Sequence, residues 1–465
     1  MHIFKRTTAF IFALVSMSSM SGMCSKADGD SGIFTDETVE FYNYWKEKYV
    51  VQDKYAEDEQ YYVWYSDTPY SDDNTGVEVT VSEAHGYGML ITANMGSSEK
   101  DIFDGMYRYY RSHLSEIGPN LMAWQQEDNG TAIVNVSGAD SATDGDMDIA
   151  YALLIADKVW GSDGEIDYKQ SAIDIINDIM EYEVNKTDWI LQLGDWAYYT
   201  KEGDVNYSAT RASDFIMQYM PAFAEATGDD RWLNVYDSTY SIINSIVDEY
   251  NTGILPDFIV KDSETGKFIP SPPNFLESDY DGYYYYNSCR TPWRIGMDYL
   301  INGNTDAKKF ADTITAFISK ATNGDPSEIK AGYKLNGTPI EDYDDLCFIA
   351  PFMISAACGD NTEWHDAVRD TVLNYGDDVY FGDTIKMLCL MVDDGGWIVP
   401  QYQFESVKGD VNLDGEYSIA DVVSMQKYIL GMESLEDIKA GDVNGDGSTD
   451  VFDLCLMKNM IISKL

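Results

Sequence analysis

Two stretches near the end of the chain repeat one arrangement of oxygen-bearing side chains: Gly-Asp-Val-Asn-Leu-Asp-Gly at 409–415 and Gly-Asp-Val-Asn-Gly-Asp-Gly at 441–447. The first offers Asp410, Asn412, Asp414, Ser418 and Asp421; the second offers Asp442, Asn444, Asp446, Asp450 and Asp453. Alternate side chains of a tight loop converge, the glycine permits the sharp turn, and an all-oxygen donor set is the chemistry of a Ca²⁺ site. Two such loops in register, each followed by an apolar helical stretch, predict two structural calcium ions. A second concentration of carboxylates, Asp144, Asp146 and Asp148, opens a long apolar run that ends at Trp160. Read locally, Thr143 or Asp144 caps a helix whose apolar face begins at Ile149, with acidic residues in the first turn where the helix dipole favours negative charge. The chain holds 4 His, none at metal-ligand spacing. No phosphate-cradling loop follows a strand and no Ser-His-Asp context stands out, so catalysis is expected to need no metal or cofactor.

The elements that must position these residues are mostly helical. Ile149, Ala152, Leu153 and Ala156 follow the spacing of one helix face, as do Ala172, Ile175, Ile176 and Ile179, then Thr239, Ile242, Ile243 and Ile246. Phe310, Ile314, Phe317, Ile318 and Ala321 trace another. Strand-like alternation is scarce, Val77–Val81 being a short exception. Polar, Gly- and Tyr-rich loops separate the helices, notably 251–290; loops of that length in a compact domain are usually functional. Many helices with elaborate loops on one side suggest paired helices wound into a barrel, and no fixed period supports a solenoid.

Composition limits the partners. With 80 acidic against 31 basic residues and a net charge of −49, the chain lacks the cationic face that nucleic acid requires. Its 35 Tyr and 10 Trp suit stacking on the flat faces of sugar rings. The N-terminus carries Lys5 and Arg6, then an apolar run near 9–16, then small residues up to Ala27. That is the pattern of a secretory signal over 1–27, and Met23 before Cys24 is a poor lipoprotein signal. No other stretch is long and apolar enough to cross a membrane. The remaining cysteines, 289, 347, 358, 389 and 455, have irregular spacing and read as buried thiols.

The paired Asp-rich loops resemble a type I dockerin over 409–465, the module that plugs secreted enzymes into cohesin domains of a cellulosome scaffold. The twelfth loop position is Asp, as in dockerins, and the tenth and eleventh, Ile419-Ala420 and Val451-Phe452, are where the family chooses its cohesin. Residues 142–160, from Ala142 to Trp160, match the signature of glycoside hydrolase family 8, whose members cut β-glucans, chitosan or xylan with inversion on an (α/α)6 barrel. Ser82-Glu83-Ala84-His85-Gly86-Tyr87-Gly88-Met89 resembles the family's segment for the general acid. Ala123-Trp124-Gln125, Gly194-Asp195-Trp196 and Tyr286 through Arg294 match further segments. The resemblance implies an all-α fold, an (α/α)6 barrel over 30–400, joined by 401–408 to the calcium module. It also implies Glu83 as acid, Asp144 at the −1 sugar, Trp124 and Trp196 as sugar platforms, and Tyr286 and Arg290 near the cleavage point. His85 is expected to pack nearby without acting as base.

In one position the chain departs from the best-known subgroup, which places its base Asp where Asn287 stands. A second subgroup, with chitosanases and lichenases, keeps Asn there and takes a Glu from the loop upstream. The corresponding loop here is 272–282, with Glu277 the chosen base, flanked by Phe275 and Leu276, and Asp281 and Asp279 the alternatives. Inverting glycosidases need two carboxyls, about 6.5–9.5 Å apart, to leave room for water. The expected protein is a secreted, cellulosome-borne, inverting endo-β-glycanase acting on β-1,4 or mixed β-1,3-1,4 glucan. A chitosanase, or a carbohydrate-binding protein that lost catalysis at Asn287, is the alternative.

Overall fold

The computed structural model describes residues 33–66, 76–376, 379–400 and, near the C-terminus, 408–409, 411–412, 417–432, 435, 440–444 and 448–464. The expected leader, most of the 401–408 joint, and Asp410, Asp414 and Asp446 lie outside these residues.

The larger part is an (α/α)6 barrel. Its helices are α1 (Asp36–Tyr49), α2 (Ser82–Met95), α3 (Lys100–Ser112), α4 (Thr143–Trp160), α5 (Tyr168–Asp178), α6 (Tyr219–Thr227), α7 (Arg231–Tyr250), α8 (Thr291–Asn302), α9 (Thr305–Ala321), α10 (Leu346–Ala357), α11 (Thr362–Asn374) and α12 (Tyr380–Asp393). Each odd helix packs on an even one: α3 on α2, α5 on α4, α7 on α6, α9 on α8, α11 on α10, and α1 on α12, which closes the ring. Sequence character sorts them. The even helices α2, α4, α8, α10 and α12 bury nearly every side chain, as a helix enclosed by neighbours must. The odd helices show one apolar stripe: Ile242, Ile243 and Ile246 are buried on α7, Ala172, Ile175 and Ile176 on α5. On α9, Phe310, Ile314 and Ile318 are buried as expected, but Phe317 is half-buried and Ala321, the last residue, is exposed.

Two inner helices come unusually close. A Cβ on Gly86 of α2 would stand 2.7 Å from the Asp148 Cβ, and one on Gly145 of α4 would stand 2.7 Å from the Ser82 carbonyl carbon. Only hydrogen fits at this crossing, and it brings the first turns of α2 and α4 together. Across the barrel interior, Arg294 of α8 pairs with Asp148 of α4, Nη2 to Oδ2 at 2.5 Å, both side chains inaccessible to solvent. The Tyr219 hydroxyl of α6 donates to the same Asp148 at 2.9 Å.

Small antiparallel sheets decorate the barrel ends. Val77–Val81 is a strand as anticipated, and pairs with Gln125–Asp128, which pairs in turn with Ile133–Asn135. The 251–290 stretch is more ordered than its polar composition suggested. It contains the hairpin Phe258–Lys261 with Phe268–Pro270, extended by Ala209–Arg211.

In the C-terminal module, helices α13 (Ile419–Ile429) and α14 (Val451–Lys464) pack through Val411, Tyr417, Met425, Leu454 and Met457. Asp421 and Asp453 are fully buried and hold equivalent backbone: Asp421 accepts from Asn412 N at 3.3 Å and Ser418 N at 2.7 Å, Asp453 from Asn444 N at 3.0 Å and Asp450 N at 2.9 Å. The repeat in sequence is thus a repeat in structure. Cys289, Cys347, Cys358 and Cys389 are buried free thiols, but Cys455 is exposed, because its position on α14 faces away from the small core.

Candidate active site

Glu83 and Asp144 stand in the first turns of α2 and α4, which the Gly86/Gly145 crossing holds side by side. Neither Thr143 nor Asp144 caps α4 as expected. The N-cap is Ala142, without a side-chain bond, while the Thr143 hydroxyl donates to the Gln192 carbonyl at 2.8 Å. Asp144 is freed to face cations. Helical spacing sends the three aspartates to different tasks: Asp146 accepts from Met122 N at 2.8 Å, Asp148 pairs with Arg294, and Asp144 alone meets Arg211 (Nη2 to Oδ1, 3.0 Å) and Arg290 (Nη1 to Oδ2, 3.2 Å).

Arg290 is the hub. It is buried, and its Nη1 also donates to Glu83 Oε2 at 2.5 Å and to the Tyr87 hydroxyl at 3.1 Å. Its Nε donates to the Asn287 carbonyl and its Nη2 to Asn287 Oδ1, each at 3.1 Å. The Tyr380 hydroxyl, from α12, donates to Glu83 Oε1 at 3.2 Å. These contacts divide the two carboxyls electrostatically. Burial raises the Glu83 pKa; Arg290 opposes this, Asp144 adds to it, and the net direction is upward. For Asp144 burial pushes the same way, but Arg211, Arg290 and Arg294 together outweigh it and hold the carboxyl below its usual range. The two pKa values are thus pushed in opposite directions, a separation that suits an acid beside a charge-stabilising carboxylate.

The 272–282 loop closes over this cluster. Asp281 is buried, its Oδ2 accepting from Leu276 N at 2.7 Å and Glu277 N at 3.0 Å, and its Oδ1 from Ser278 N at 2.8 Å. Asp279 is exposed and bonds to Asn274 of its own loop. Glu277, its side chain open to solvent, accepts from the Asn287 amide at 2.8 Å and lies close enough to Arg211 to stabilise that cation. Of the flanking pair only Phe275 anchors the loop, tilted against Phe258 at 5.8 Å; Leu276 is exposed, since the turn around Asp281 rotates it outward.

The aromatic residues line the same end of the barrel. The Trp124 carbonyl accepts from Ser82 N at 2.9 Å, which ties its backbone to the start of α2, and its half-buried indole donates to the Ser137 carbonyl at 3.1 Å. Trp196 is half-buried against the cluster of Leu193, Ala209, Phe258 and Val260 that also receives Phe275. Tyr286 is half-buried, edge-on to Phe348 at 5.0 Å, with its hydroxyl 2.9 Å from Asp345. His85 points away, its Nε2 2.9 Å from the Met106 carbonyl and its ring stacked on Tyr109; burial depresses its pKa to about 3, so it is neutral. Sequence reasoning missed Arg211, Tyr380 and the buried Asp257. The last gathers Tyr285 N at 2.9 Å, Asn287 N at 3.1 Å and Ser288 N at 2.8 Å into the turn before Arg290. An isolated cation within the small, apolar run Ala209-Thr210-Arg211-Ala212 was the available signal for Arg211; nothing local marked Tyr380.

The family model for glycosyl hydrolases family 8 matches residues 14–395, and that for the dockerin type I domain matches 408–462. A beta-glucanase of Niallia circulans is 47% identical over 324 residues, spanning 68% of this chain and 77% of its own. Endoglucanase A of Acetivibrio thermocellus is 31% identical over 376 residues, 76% of this chain and 72% of its own. Among solved structures, the apo beta-1,3-1,4-glucanase of Paenibacillus sp.X4 superposes with a TM-score of 0.72 at 43% identity, covering 78% of this chain and 92% of that one. Rex8A of Paenibacillus barcinonensis, solved with xylose, gives 0.63 at 17% identity over 79% and 94%, a likeness of fold alone. The chain is therefore a glycoside hydrolase: it belongs to glycosyl hydrolases family 8 and carries a type I dockerin domain at its C-terminal end.

Proposed function

We propose that this chain is an inverting endo-β-glucanase that hydrolyses β-1,4 or mixed β-1,3-1,4 glucan, with Glu83 as general acid and Glu277 as general base. The observation that carries the reading is the unbroken line from Glu83 through Arg290 and Asn287 to Glu277. It holds two carboxyls in one cluster without letting them touch, as inversion requires. Glu83 gives its proton to the glycosidic oxygen as the bond from that oxygen to the anomeric carbon breaks. Water attacks the same carbon from the opposite face, forming the new C–O bond, and its proton passes to Glu277. Asp144, held ionised, stabilises the positive charge that develops on the −1 sugar ring, while Trp124, Trp196 and Tyr286 supply stacking surfaces and Arg290 orients Glu83. Asp281 is disfavoured as base because backbone N–H groups engage both of its oxygens, and Asp279 because it bonds within its own loop. Asn at position 287, with Glu277 upstream, supports membership of the lichenase and chitosanase subgroup. The names of the relatives favour glucan.

The boundaries that accompany this reading are a leader over 1–27, the barrel over 30–400, a joint over 401–408 and the dockerin over 409–465. The protein is secreted and works on a cellulosome. Two Ca²⁺ ions fit the paired loops: the donors are all oxygen, and Asp421 and Asp453 are carboxylates buried at equivalent positions of the two repeats. Ile419, Ala420, Val451 and Phe452 are all exposed, as contacts for a cohesin should be.

Reducing-end release from barley mixed-linkage glucan, carboxymethyl cellulose and chitosan tests the substrate class, with NMR of the first products reporting the anomer. Rapid cutting of the glucan with inverted anomers is expected. Retained anomers, or chitosan as the preferred polymer, would overturn the reading.

A further inference from the structure

Asn287 occupies the position where an aspartate base would stand, yet its side chain is neither free nor a spectator. Its Oδ1 accepts from Arg290 Nη2 at 3.1 Å, and its Nδ2 donates to Glu277 Oε2 at 2.8 Å and, more weakly, toward Asp257 Oδ2 at 3.4 Å. Guanidinium only donates and carboxylate only accepts. The amide can therefore satisfy its neighbours in a single orientation, oxygen to Arg290 and nitrogen to Glu277. The backbone is fixed independently, Asn287 N donating to Asp257 at 3.1 Å and its carbonyl accepting from Arg290 Nε at 3.1 Å.

We propose that Asn287 is the positioning residue for the base, an amide clamped between Arg290 and Asp257 that presents one N–H to the Glu277 carboxylate. This rests on Glu277 being the base. Glu277 sits on an exposed loop and has no other hydrogen bond from outside that loop among those resolved for the described residues. A long side chain on such a loop samples several rotamers, and one fixed donor selects the rotamer aimed at the attacking water. The same geometry explains why the residue is an amide. Aspartate at 287 would set a second carboxylate against Glu277, whereas asparagine bridges acceptor and donor without added charge. The other charges around Glu277 are Arg211 from the 209–211 strand, Arg290 and Asp257 behind the amide, and Asp281 beneath its own loop.

Three full-length variants test this. Glu277→Ala is the reference and should be inactive on mixed-linkage glucan. Asn287→Ala keeps the backbone bonds to Asp257 and should lower kcat by about ten- to a hundredfold with KM within about twofold, the size of effect that misplacing a reacting group produces. Asn287→Asp is nearly isosteric, and like-charge repulsion should move the acidic limb of kcat/KM upward by about one pH unit or more. An acidic limb unmoved in Asn287→Asp, with Glu277→Ala inactive, would overturn the positioning role and leave the base assignment standing. Turnover retained by Glu277→Ala would remove the base assignment and this inference with it.

Discussion

Glu83 and Asp144 bear the same functional group and share one arginine, yet their pKa values are pushed in opposite directions. The difference is the number of cations each meets: Glu83 has Arg290 at contact, while Asp144 adds Arg211 at 3.0 Å and the field of Arg294. Glu83→Gln should lower kcat on mixed-linkage glucan by about 10²–10⁴-fold, the usual worth of a general acid, with binding of an oligosaccharide retained by calorimetry. The pH profile offers a finer check. With Glu83 as the proposed acid, activity requires it protonated, so kcat/KM falls on the basic side as pH passes its raised pKa. The Tyr380 hydroxyl bonds to the carboxylate and favours the charged form. Removing it in Tyr380→Phe should raise the Glu83 pKa further and move the basic limb to higher pH; an unchanged or lowered limb would contradict the assignment.

Secondary-structure elements set the distances that these side chains need. The α2–α4 crossing works because Gly86 and Gly145 lack Cβ atoms where backbone of the opposing helix arrives. Gly145→Ala places a methyl 2.7 Å from the Ser82 carbonyl carbon, so the helices must part. We expect about 1–3 kcal/mol of destabilisation by urea unfolding, typical of overpacking, together with a fall in kcat as Glu83 and Asp144 separate. Deeper in the barrel, Arg294 ties α8 to α4 through a dry ion pair and stacks over Trp293 at 4.0 Å. Arg294→Met strands Asp148 without its cation, and breaking a buried pair from one side costs about 3–5 kcal/mol. Thermal melts of the barrel should show the drop even though the residue touches no substrate.

At the scale of the whole molecule, two modules with different physics share one chain. The barrel owes its stability to a large apolar core in which Tyr, Trp, Ile and Met side chains from all twelve helices are buried. The C-terminal module has a small core, centred on Met425 and Met457, and with the two proposed Ca²⁺ ions its folding would lean on metal coordination. Chelation with EDTA should therefore abolish binding to a cohesin and unfold the C-terminal helices by circular dichroism. Hydrolysis of soluble glucan should continue. Loss of turnover in chelator would show that calcium also serves the barrel.

The sequence by itself determined the helical architecture, the family segments that carry Glu83 and Asp144, and the duplicated Asp-rich loops of the dockerin, because each is local. Apolar spacing reports one helix at a time, Glu83 and Asp144 sit in continuous segments, and alternate oxygen ligands need only a short turn. The odd helices α5, α7 and α9 were legible for that reason, since a half-buried helix writes its stripe into the sequence; the inner helix α4, read as having one apolar face, is instead buried nearly all round. Tertiary structure alone decided which carboxylate of the 272–282 loop meets Asn287. The loop's acids differ little in local sequence, and only folding commits Asp281 to backbone N–H groups while turning Glu277 toward Asn287. Arg211 and Tyr380 entered the site the same way, from strands and helices far along the chain. Long-range proximity leaves no mark in a run of neighbouring residues; it exists only once the barrel has closed.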